Sequence, residues 1–159
     1  MKKTIGILAH VDAGKTTFSE QILFHTNSIR QRGRVDHKDS FLDSHELEKQ
    51  RGITIFADQG SFTYKDSTYY IIDNPGHVDF SPEMERSIQV MDYAIVIISS
   101  VEGVQGHTET VWQLLQKHHI PTFFFINKID RVGADVNRVM NEIQSELGAN
   151  ICNLSDSLN

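Results

Sequence analysis

The first residues of this chain that could do chemistry lie in a short loop near its start, residues 9–16, which read AHVDAGKT. The loop follows the apolar run 5–8 and precedes a stretch compatible with a helix. A strand, a loop and a helix N-terminus in that order form a cradle in which backbone N–H groups surround anionic oxygens. The ammonium of Lys15 would reach terminal phosphates, and the hydroxyl of Thr16 can ligate Mg²⁺. The predicted phosphate-binding residues are His10, Val11, Asp12, Ala13, Gly14, Lys15, Thr16 and Thr17.

A second motif, residues 73–77 with the sequence DNPGH, follows another apolar run. A carboxylate such as that of Asp73, at the end of a buried strand, typically holds Mg²⁺ through water. Gly76 permits close approach of the backbone, so its N–H can bond a γ-phosphate, and loss of that phosphate would free the segment that follows. Thr54 is the matching residue upstream, because its hydroxyl could complete the coordination of Mg²⁺ only while a triphosphate is bound. The predicted metal ligands are therefore Thr16, Thr54 and Asp73.

His77 follows directly after Gly76 and is the predicted catalytic residue. A side chain here can orient an attacking water in line with the γ-phosphorus, and phosphoryl transfer needs positioning and charge neutralisation more than a strong base. Val11 and Ile53 would flank its approach, either as a dry lining that strengthens local electrostatics or as plain packing residues. The carboxylate of Asp12, near the phosphates, either helps to bind a monovalent ion or fixes the loop.

A third motif, residues 127–130 with the sequence NKID, follows the very apolar residues 123–126. The Asp130 carboxylate can accept two parallel hydrogen bonds, from N1–H and from the 2-amino group of guanine. Adenine has no donor at either place, so it would leave the carboxylate desolvated and unpaired, which gives a discrimination of roughly 10⁴ or more. Asn127 can contact the base edge and the loop, while the stem of Lys128 covers the ring. The three motifs in this order predict a protein that binds GTP and GDP with Mg²⁺ and hydrolyses GTP.

The predicted hydrolysis lacks one common component, because no arginine lies within the three motifs. The isolated domain should therefore hydrolyse GTP slowly, and a partner that completes the site could supply about 10⁵ in rate. Residues 28–52 lack a clean period and are crowded with charged and turn-forming residues. A loop this long inside a compact domain is usually functional or mobile. The segment 28–52 lies between the loop 9–16 and the motif RGITI, which is where a nucleotide-sensing switch would lie. The alternative interpretation of this segment is a disordered insertion.

Composition and charge place the chain among single-domain proteins without a broad cationic surface. Its 159 residues are enough for one domain with a sizeable core and too few for two. The balance of 15 basic against 21 acidic residues, a net charge of −6, argues against a nucleic-acid site in this domain. An arginine cluster at residues 30–34 is interpreted as a solvated loop. Cys152 is the only cysteine and no apolar run approaches the roughly 18 residues of a membrane span, so we expect a soluble, cytoplasmic protein. We also expect it to be a monomer.

Apolar runs alternate with helical patterns along most of the chain. Continuous runs bounded by turn residues predict strands buried on both faces of a mostly parallel sheet, here at 4–8, 69–72, 94–98 and 122–126. Helical patterns cover residues 16–24, 83–91, 108–118 and 134–147. Residues 53–64 and 68–73 predict an antiparallel hairpin around a turn at 65–67. The expected fold is α/β, a P-loop NTPase with a doubly wound, mostly parallel sheet, one antiparallel strand and helices on both faces.

Taken together, the segments AHVDAGKT, RGITI, DNPGH and NKID resemble the translational GTPases, and within them the elongation factor G branch. The resemblance covers essentially all of residues 1–150. The short N-terminus and residues 78–80 (VDF) are similar to the ribosomal protection proteins that confer tetracycline resistance, although elongation factor G shares these features. The resemblance implies the N-terminal GTP-binding domain of a factor that binds the ribosome with GTP and leaves after hydrolysis. The alternatives are an elongation factor G-like translocase, a release-type factor and an inactive nucleotide-binding fragment.

Two features depart from the family pattern. Asn74 replaces the usual threonine, and little loss is expected because Asn is a competent turn former. The short Ser-Ala motif whose backbone contacts guanine O6 is not recognisable in residues 151–159. In this branch that motif follows an inserted subdomain. The resemblance therefore implies that residues 1–159 are a GTP-binding domain truncated before its last strand and helix, with one sheet edge uncovered.

Overall fold

The computed structural model describes residues 1–27, 58–73 and 82–157, and in these ranges strands and helices alternate along the chain. The strands are β1 (Lys2–Ala9), β2 (Asp58–Tyr64), β3 (Ser67–Asp73), β4 (Tyr93–Ser99) and β5 (Thr122–Asn127). The helices are α1 (Lys15–His25), α2 (Pro82–Gln89), α3 (Gly106–Lys117) and α4 (Val136–Glu146), and a 3₁₀ turn covers Leu154–Ser157. The strands and helices predicted in these ranges are confirmed, with small shifts at their ends.

Within the described ranges the strands form one sheet in the order β2-β3-β1-β4-β5, with β2 antiparallel to its neighbour and the other pairs parallel. This confirms the predicted mostly parallel sheet. Ile7 of β1 is in register with Asp73 of β3 and with Ile95 of β4, and Ser99 of β4 is in register with Asn127 of β5. The carboxyl ends of the four parallel strands therefore meet at one edge, which is where open α/β sheets bind ligands.

Side chains alternate between the two faces of this sheet, and each face packs against helices. On one face Ile7 and Ala9 of β1 belong to a buried cluster with Leu23 of α1. On the other face Leu8 of β1 and Val96 of β4 belong to a cluster with three helices. The helical members of that cluster are Met84, Ile88, Val111, Leu115, Val139 and Ile143. Helices cover both faces, as predicted, and fully burying one such aliphatic side chain contributes about 1.5–3 kcal/mol.

The β2–β3 hairpin has a tighter turn than the sequence predicts. Instead of a turn over residues 65–67, Ser67 pairs with Tyr64, and Lys65 and Asp66 alone form the turn. Both turn residues have positive φ, 44° and 61°. A two-residue turn of this kind matches the right-handed twist of the strands, but it usually contains Asn and Gly. A Lys-Asp pair therefore does not predict it.

The start of α4 also differs slightly from the prediction, and the reason is a helix cap. The apolar pattern begins at residue 134, but the helix begins at Val136. Asp135 has an extended backbone, and its side chain accepts a hydrogen bond from the backbone N–H of Arg138 at 2.9 Å. This contact satisfies a backbone donor that the first turn leaves without an intrahelical partner.

Some predictions concern residues outside the described ranges. These are the proposed switch segment 28–52 with its arginine cluster 30–34, the first part of the predicted hairpin at 53–57, Ile53, Asn74, residues 78–80, and the site residues Thr54, Gly76 and His77. In the part of the chain that the structure describes, no helix combines the length and the apolar character needed to cross a membrane. Cys152 is exposed and forms no disulfide.

Candidate functional site

The loop between β1 and α1 reverses direction through left-handed backbone conformations. Asp12 has φ 64° and Gly14 has φ 97°. The N–H of Ala13 donates to the carbonyl oxygen of His10 at 3.1 Å, and the N–H of Phe18 donates to that of Gly14 at 2.9 Å as α1 begins. Left-handed conformations cost little at Gly and more at residues with a Cβ. The loop is therefore a tight turn that leads directly into the first turn of a helix.

The first turn of α1 has the properties of an anion-binding helix end. Gly14 occupies the N-cap position, no side chain caps the helix, and its first turn contains no acidic residue. The positive end of the helix dipole and the N–H groups of this turn face the loop, and no carboxylate in the first turn neutralises them. Lys15 is only 8% exposed, Thr16 is partly buried and Thr17 is exposed. The Ser19 hydroxyl donates to the carbonyl oxygen of Lys15 at 3.1 Å, which fixes the backbone of this turn.

The third motif, residues 127–130, directly contacts the loop 9–16, here called the phosphate loop after its predicted role. Asn127, the last residue of β5, donates a hydrogen bond from Nδ2 to the carbonyl oxygen of Ala13 at 2.9 Å. The two groups are brought together because β5 and β1 both pair with β4 and end at the same sheet edge. The contact also needs space, since a Cβ on Gly14 would lie 2.4 Å from Asn127 Nδ2. Two segments far apart in the sequence thus form one site.

The residues after Asn127 form a turn that is anchored to the end of β4. Lys128 has φ 60°, and its carbonyl oxygen accepts from the N–H of Arg131 at 3.1 Å. The N–H of Ser100 donates to the carbonyl oxygen of Asn127 at 2.9 Å. Lys128 is partly buried, whereas Asp130 is exposed in the turn. The Asp130 carboxylate is therefore available to a ligand at this edge of the sheet.

The second motif is described only where it begins. Asp73 is the last residue of β3, and its register with Ile7 places it at the same sheet edge as the loop. Gly76, His77 and Thr54 lie outside the described residues. Among the described residues there is no group of three or more His, Cys, Asp or Glu side chains that could hold a metal ion. The predicted ligands differ from such a group, because they combine hydroxyls with a single carboxylate, as Mg²⁺ sites that share phosphate oxygens do.

One residue near the loop was not singled out by the sequence analysis. His107, in the first turn of α3, is partly buried, and its Nδ1 is buried without a hydrogen-bond partner in the described structure. Burial lowers the pKa of the His107 imidazole, and the charges of His10 and Lys15 lower it further. His107 lies in the first turn of the helix that follows β4, and β4 pairs in parallel with β1, so His107 lies at the sheet edge where the loop begins. No motif spacing relates it to the other site residues, and one histidine among eight carries little information.

Gly14→Ala is expected to lower the free energy of unfolding by about 1–3 kcal/mol. The alanine would have to keep a backbone φ of 97°, which is strained for a residue with a Cβ. Its Cβ would also displace the Asn127 side chain from the loop. Gly106→Ala is the matched control, because a Cβ there meets nothing within 4 Å and alanine favours a helix. Urea denaturation of both variants measures the difference. An equal effect of the two substitutions would show that the loop does not need the glycine.

Comparison with known proteins gives the family that the sequence motifs indicate, and the match extends over nearly the whole chain. A family model described as the elongation factor Tu GTP binding domain matches residues 2–157. Tetracycline resistance protein TetP of Clostridium perfringens is 46% identical over 158 residues, 98% of this chain and 24% of that protein. Elongation factor G 2 of Borreliella burgdorferi is 45% identical over 144 residues, 91% of this chain and 22% of that protein. A crystal structure of a protein from Thermus thermophilus matches with a TM-score of 0.84 and 27% identity over 92% of this chain and 22% of that chain.

The chain thus spans about a quarter or less of the length of these relatives. Its identity to a tetracycline resistance protein and to an elongation factor G is nearly the same, so the comparison identifies the common domain and not a subgroup. The matched family model covers the phosphate loop, the DNPGH segment and the NKID segment alike. The chain therefore belongs to the elongation factor Tu GTP-binding domain family and is a GTP-binding domain of the translational GTPase type, as its motifs predict.

Proposed function

We propose that this chain binds GTP and GDP, hydrolyses GTP, and does so in the cytoplasm as the nucleotide-binding domain of a ribosome-associated translation factor. The observation that carries the proposal is the hydrogen bond from Asn127 Nδ2 to the carbonyl oxygen of Ala13. It ties the segment proposed to select the base to the loop proposed to hold the phosphates. A nucleotide bound to both the loop and the NKID segment would bridge them, because its base and its phosphates lie at opposite ends of one molecule.

In the proposed complex the phosphates lie against the start of α1. The Lys15 ammonium and the N–H groups of the loop and first helical turn, including those of Thr16 and Thr17, neutralise their charge. Asp130 accepts two hydrogen bonds from guanine, while Lys128 covers the ring. The exposure of Asp130 and the uncapped start of α1 support these two assignments.

The donor set Thr16, Thr54 and Asp73 fits Mg²⁺, which prefers hydroxyl, carboxylate, phosphate and water oxygens. When bound, this ion supplies charge neutralisation on the β- and γ-phosphate oxygens. Thr16 belongs to the first turn of α1, and Asp73 ends a strand at the same sheet edge. The position of these two residues at one edge supports the proposed metal site.

The proposed reaction is attack of water on the γ-phosphorus. The water oxygen forms a bond to phosphorus, and the bond between phosphorus and the β–γ bridging oxygen breaks with its electron pair staying on the β-phosphate. One proton of the water remains on the phosphate and the other is released to solvent, so GDP and phosphate are the products. His77 orients the water, and the N–H of Gly76 contacts the γ-phosphate until it leaves. Because the motifs contain no arginine, we expect slow turnover in isolation and stimulation by the ribosome, which would complete the site.

For the whole factor we propose a ribosomal protection protein that confers resistance to tetracycline. The identities do not separate the subgroups, but the match to TetP extends over 98% of this chain, against 91% for elongation factor G 2, which is the reason for placing this subgroup first. A translocase of the elongation factor G type is the second candidate, because the identity to elongation factor G is almost as high. Expression of the intact parent factor in a tetracycline-sensitive host separates the two. Growth in tetracycline is the result expected of a protection protein, and no growth favours the translocase.

Calorimetric titration of the chain with GDP, GTP and ATP in the presence of Mg²⁺ tests the nucleotide site. Saturable heat with both guanine nucleotides is expected, with binding of ATP weaker by about 10⁴. Heat from ATP equal to that from GTP would overturn the selection of guanine by Asp130. No heat from any nucleotide would identify the chain as an inert fragment and overturn the proposed function.

A further inference from the structure

The inference concerns His107, which lies beside the phosphate loop but belongs to none of the motifs. His107 is the second residue of α3, which follows the loop after β4. The start of this helix is already closed by two hydrogen bonds: the Gln105 N–H donates to Thr108 Oγ1 at 3.3 Å, and the Thr108 N–H donates to the Gln105 carbonyl oxygen at 2.8 Å. The imidazole is therefore not needed to cap the helix. It lies instead at the carboxyl-terminal edge of the sheet, because β4 leads into α3 and its parallel neighbour β1 leads into the loop before α1.

The environment of the ring is unfavourable for a polar group unless the ring has a partner in another state. Nδ1 is buried without a hydrogen-bond partner in the described structure. A buried nitrogen in this condition loses its contact with water and gains nothing in return. An unbranched apolar side chain such as Met could occupy the position without this cost. Few native groups are left in such a condition, and a functional role is one of the explanations for those that are.

The charge state of the ring limits what it can contribute. Burial keeps the pKa of the His107 imidazole below its usual value, and the electrostatic effects of His10 and of the Lys15 ammonium lower it further, so the neutral ring is favoured. A neutral imidazole has one N–H donor and one lone pair. His107 can therefore offer a directed hydrogen bond next to the loop without adding to its charge. This is the property of a group that positions its neighbours rather than one that binds an anion by attraction.

We propose that His107 is a positioning residue of the phosphate loop, whose buried Nδ1 becomes hydrogen-bonded when a guanine nucleotide fills the site. The proposal rests on the proposed nucleotide binding and extends it to a residue outside the three motifs. In the nucleotide-free domain the unpaired nitrogen reduces stability, and in the complex its hydrogen bond contributes to affinity. Stability without ligand and affinity for ligand should therefore respond in opposite directions when the imidazole is replaced.

The test compares His107→Met with His107→Gln, two side chains of similar length and helix propensity of which only Gln can form hydrogen bonds. GDP affinity is measured by calorimetry, and thermal stability is measured without nucleotide. We expect Met to weaken GDP binding about tenfold, equivalent to about 1.4 kcal/mol, with an unchanged or higher melting temperature. Gln should keep the affinity within about threefold, because its amide restores the hydrogen bond.

His25→Met is the control, because His25 is exposed at the end of α1, about 15 Å along the helix from the loop. It should leave GDP affinity unchanged. Wild-type affinity in the His107→Met variant would overturn the proposal, as would a loss of affinity in the Gln variant equal to that in Met. A lower melting temperature or failure to fold in the Met variant would identify a structural role and also overturn it. A wild-type chain that binds no GDP would instead overturn the proposed function.

Discussion

Asp130→Asn is expected to lower the affinity of the chain for GDP by a factor of about 10²–10⁴. In the proposed complex Asp130 accepts two hydrogen bonds from guanine, and a hydrogen bond to a charged group contributes about 1.5–3 kcal/mol. Two such bonds amount to about 3–6 kcal/mol, which corresponds to that factor. The asparagine keeps one acceptor but brings its own N–H group against the 2-amino group of the base. Calorimetric titration with GDP measures the loss.

Xanthosine diphosphate shows whether the loss arises at the base. It has a carbonyl in place of the 2-amino group, so the Asn amide can donate to it while the amide oxygen still accepts from N1–H. The Asp130→Asn variant should therefore prefer xanthosine diphosphate to GDP, whereas the wild-type chain should prefer GDP. Asp135→Asn is the matched control, because Asp135 caps α4 and Asn caps a helix about as well as Asp. Equal GDP affinity in the two variants would contradict the proposed role of Asp130.

The central strands could be predicted because the sheet is buried on both faces along β4 and the second half of β1. Buried parallel strands are continuous apolar runs, and Ala94 and Ile97 of β4, at 0% and 1% exposure, illustrate the pattern. In β5, by contrast, Phe123 and Phe125 are 48% and 41% exposed, although the run is equally apolar. Hydrophobicity predicts the strand, whereas burial depends on what packs against its face. β5 is last in the sheet order, and a local pattern contains no information about that position.

The candidate site could be predicted as far as its residues are neighbours in the chain. The loop between β1 and α1 would hold phosphates through consecutive backbone groups, so its local sequence is enough to predict its conformation. The bond between Asn127 and Ala13 joins residues 114 positions apart and depends on the order of the strands. His107 could not be identified from sequence, because the feature that distinguishes it is the burial of its Nδ1 atom, which depends on the fold. The roles of Thr54 and His77 stay predictions.

His77→Ala is expected to slow GTP hydrolysis by a factor of about 10²–10⁴, the usual contribution of a side chain that positions or deprotonates a reacting group. Its proposed contact is with the attacking water and not with the nucleotide. Affinity for GDP should therefore stay within about threefold of the wild-type value, because no hydrogen bond to the nucleotide is lost. Single-turnover release of γ-phosphate from bound GTP measures the rate, first for the chain alone and then with added ribosomes. Calorimetry with GDP gives the affinity of the same preparations.

His25→Ala is the control for this experiment, because it removes an exposed imidazole at the far end of α1 and should change neither quantity. Two results would contradict the proposed role of His77. An unchanged rate would show that another group orients the water. A parallel loss of GDP affinity would place the imidazole among the groups that bind the nucleotide. Only a fall in rate at constant affinity separates positioning of the water from binding of the phosphates, since the water is bonded only in the reacting complex.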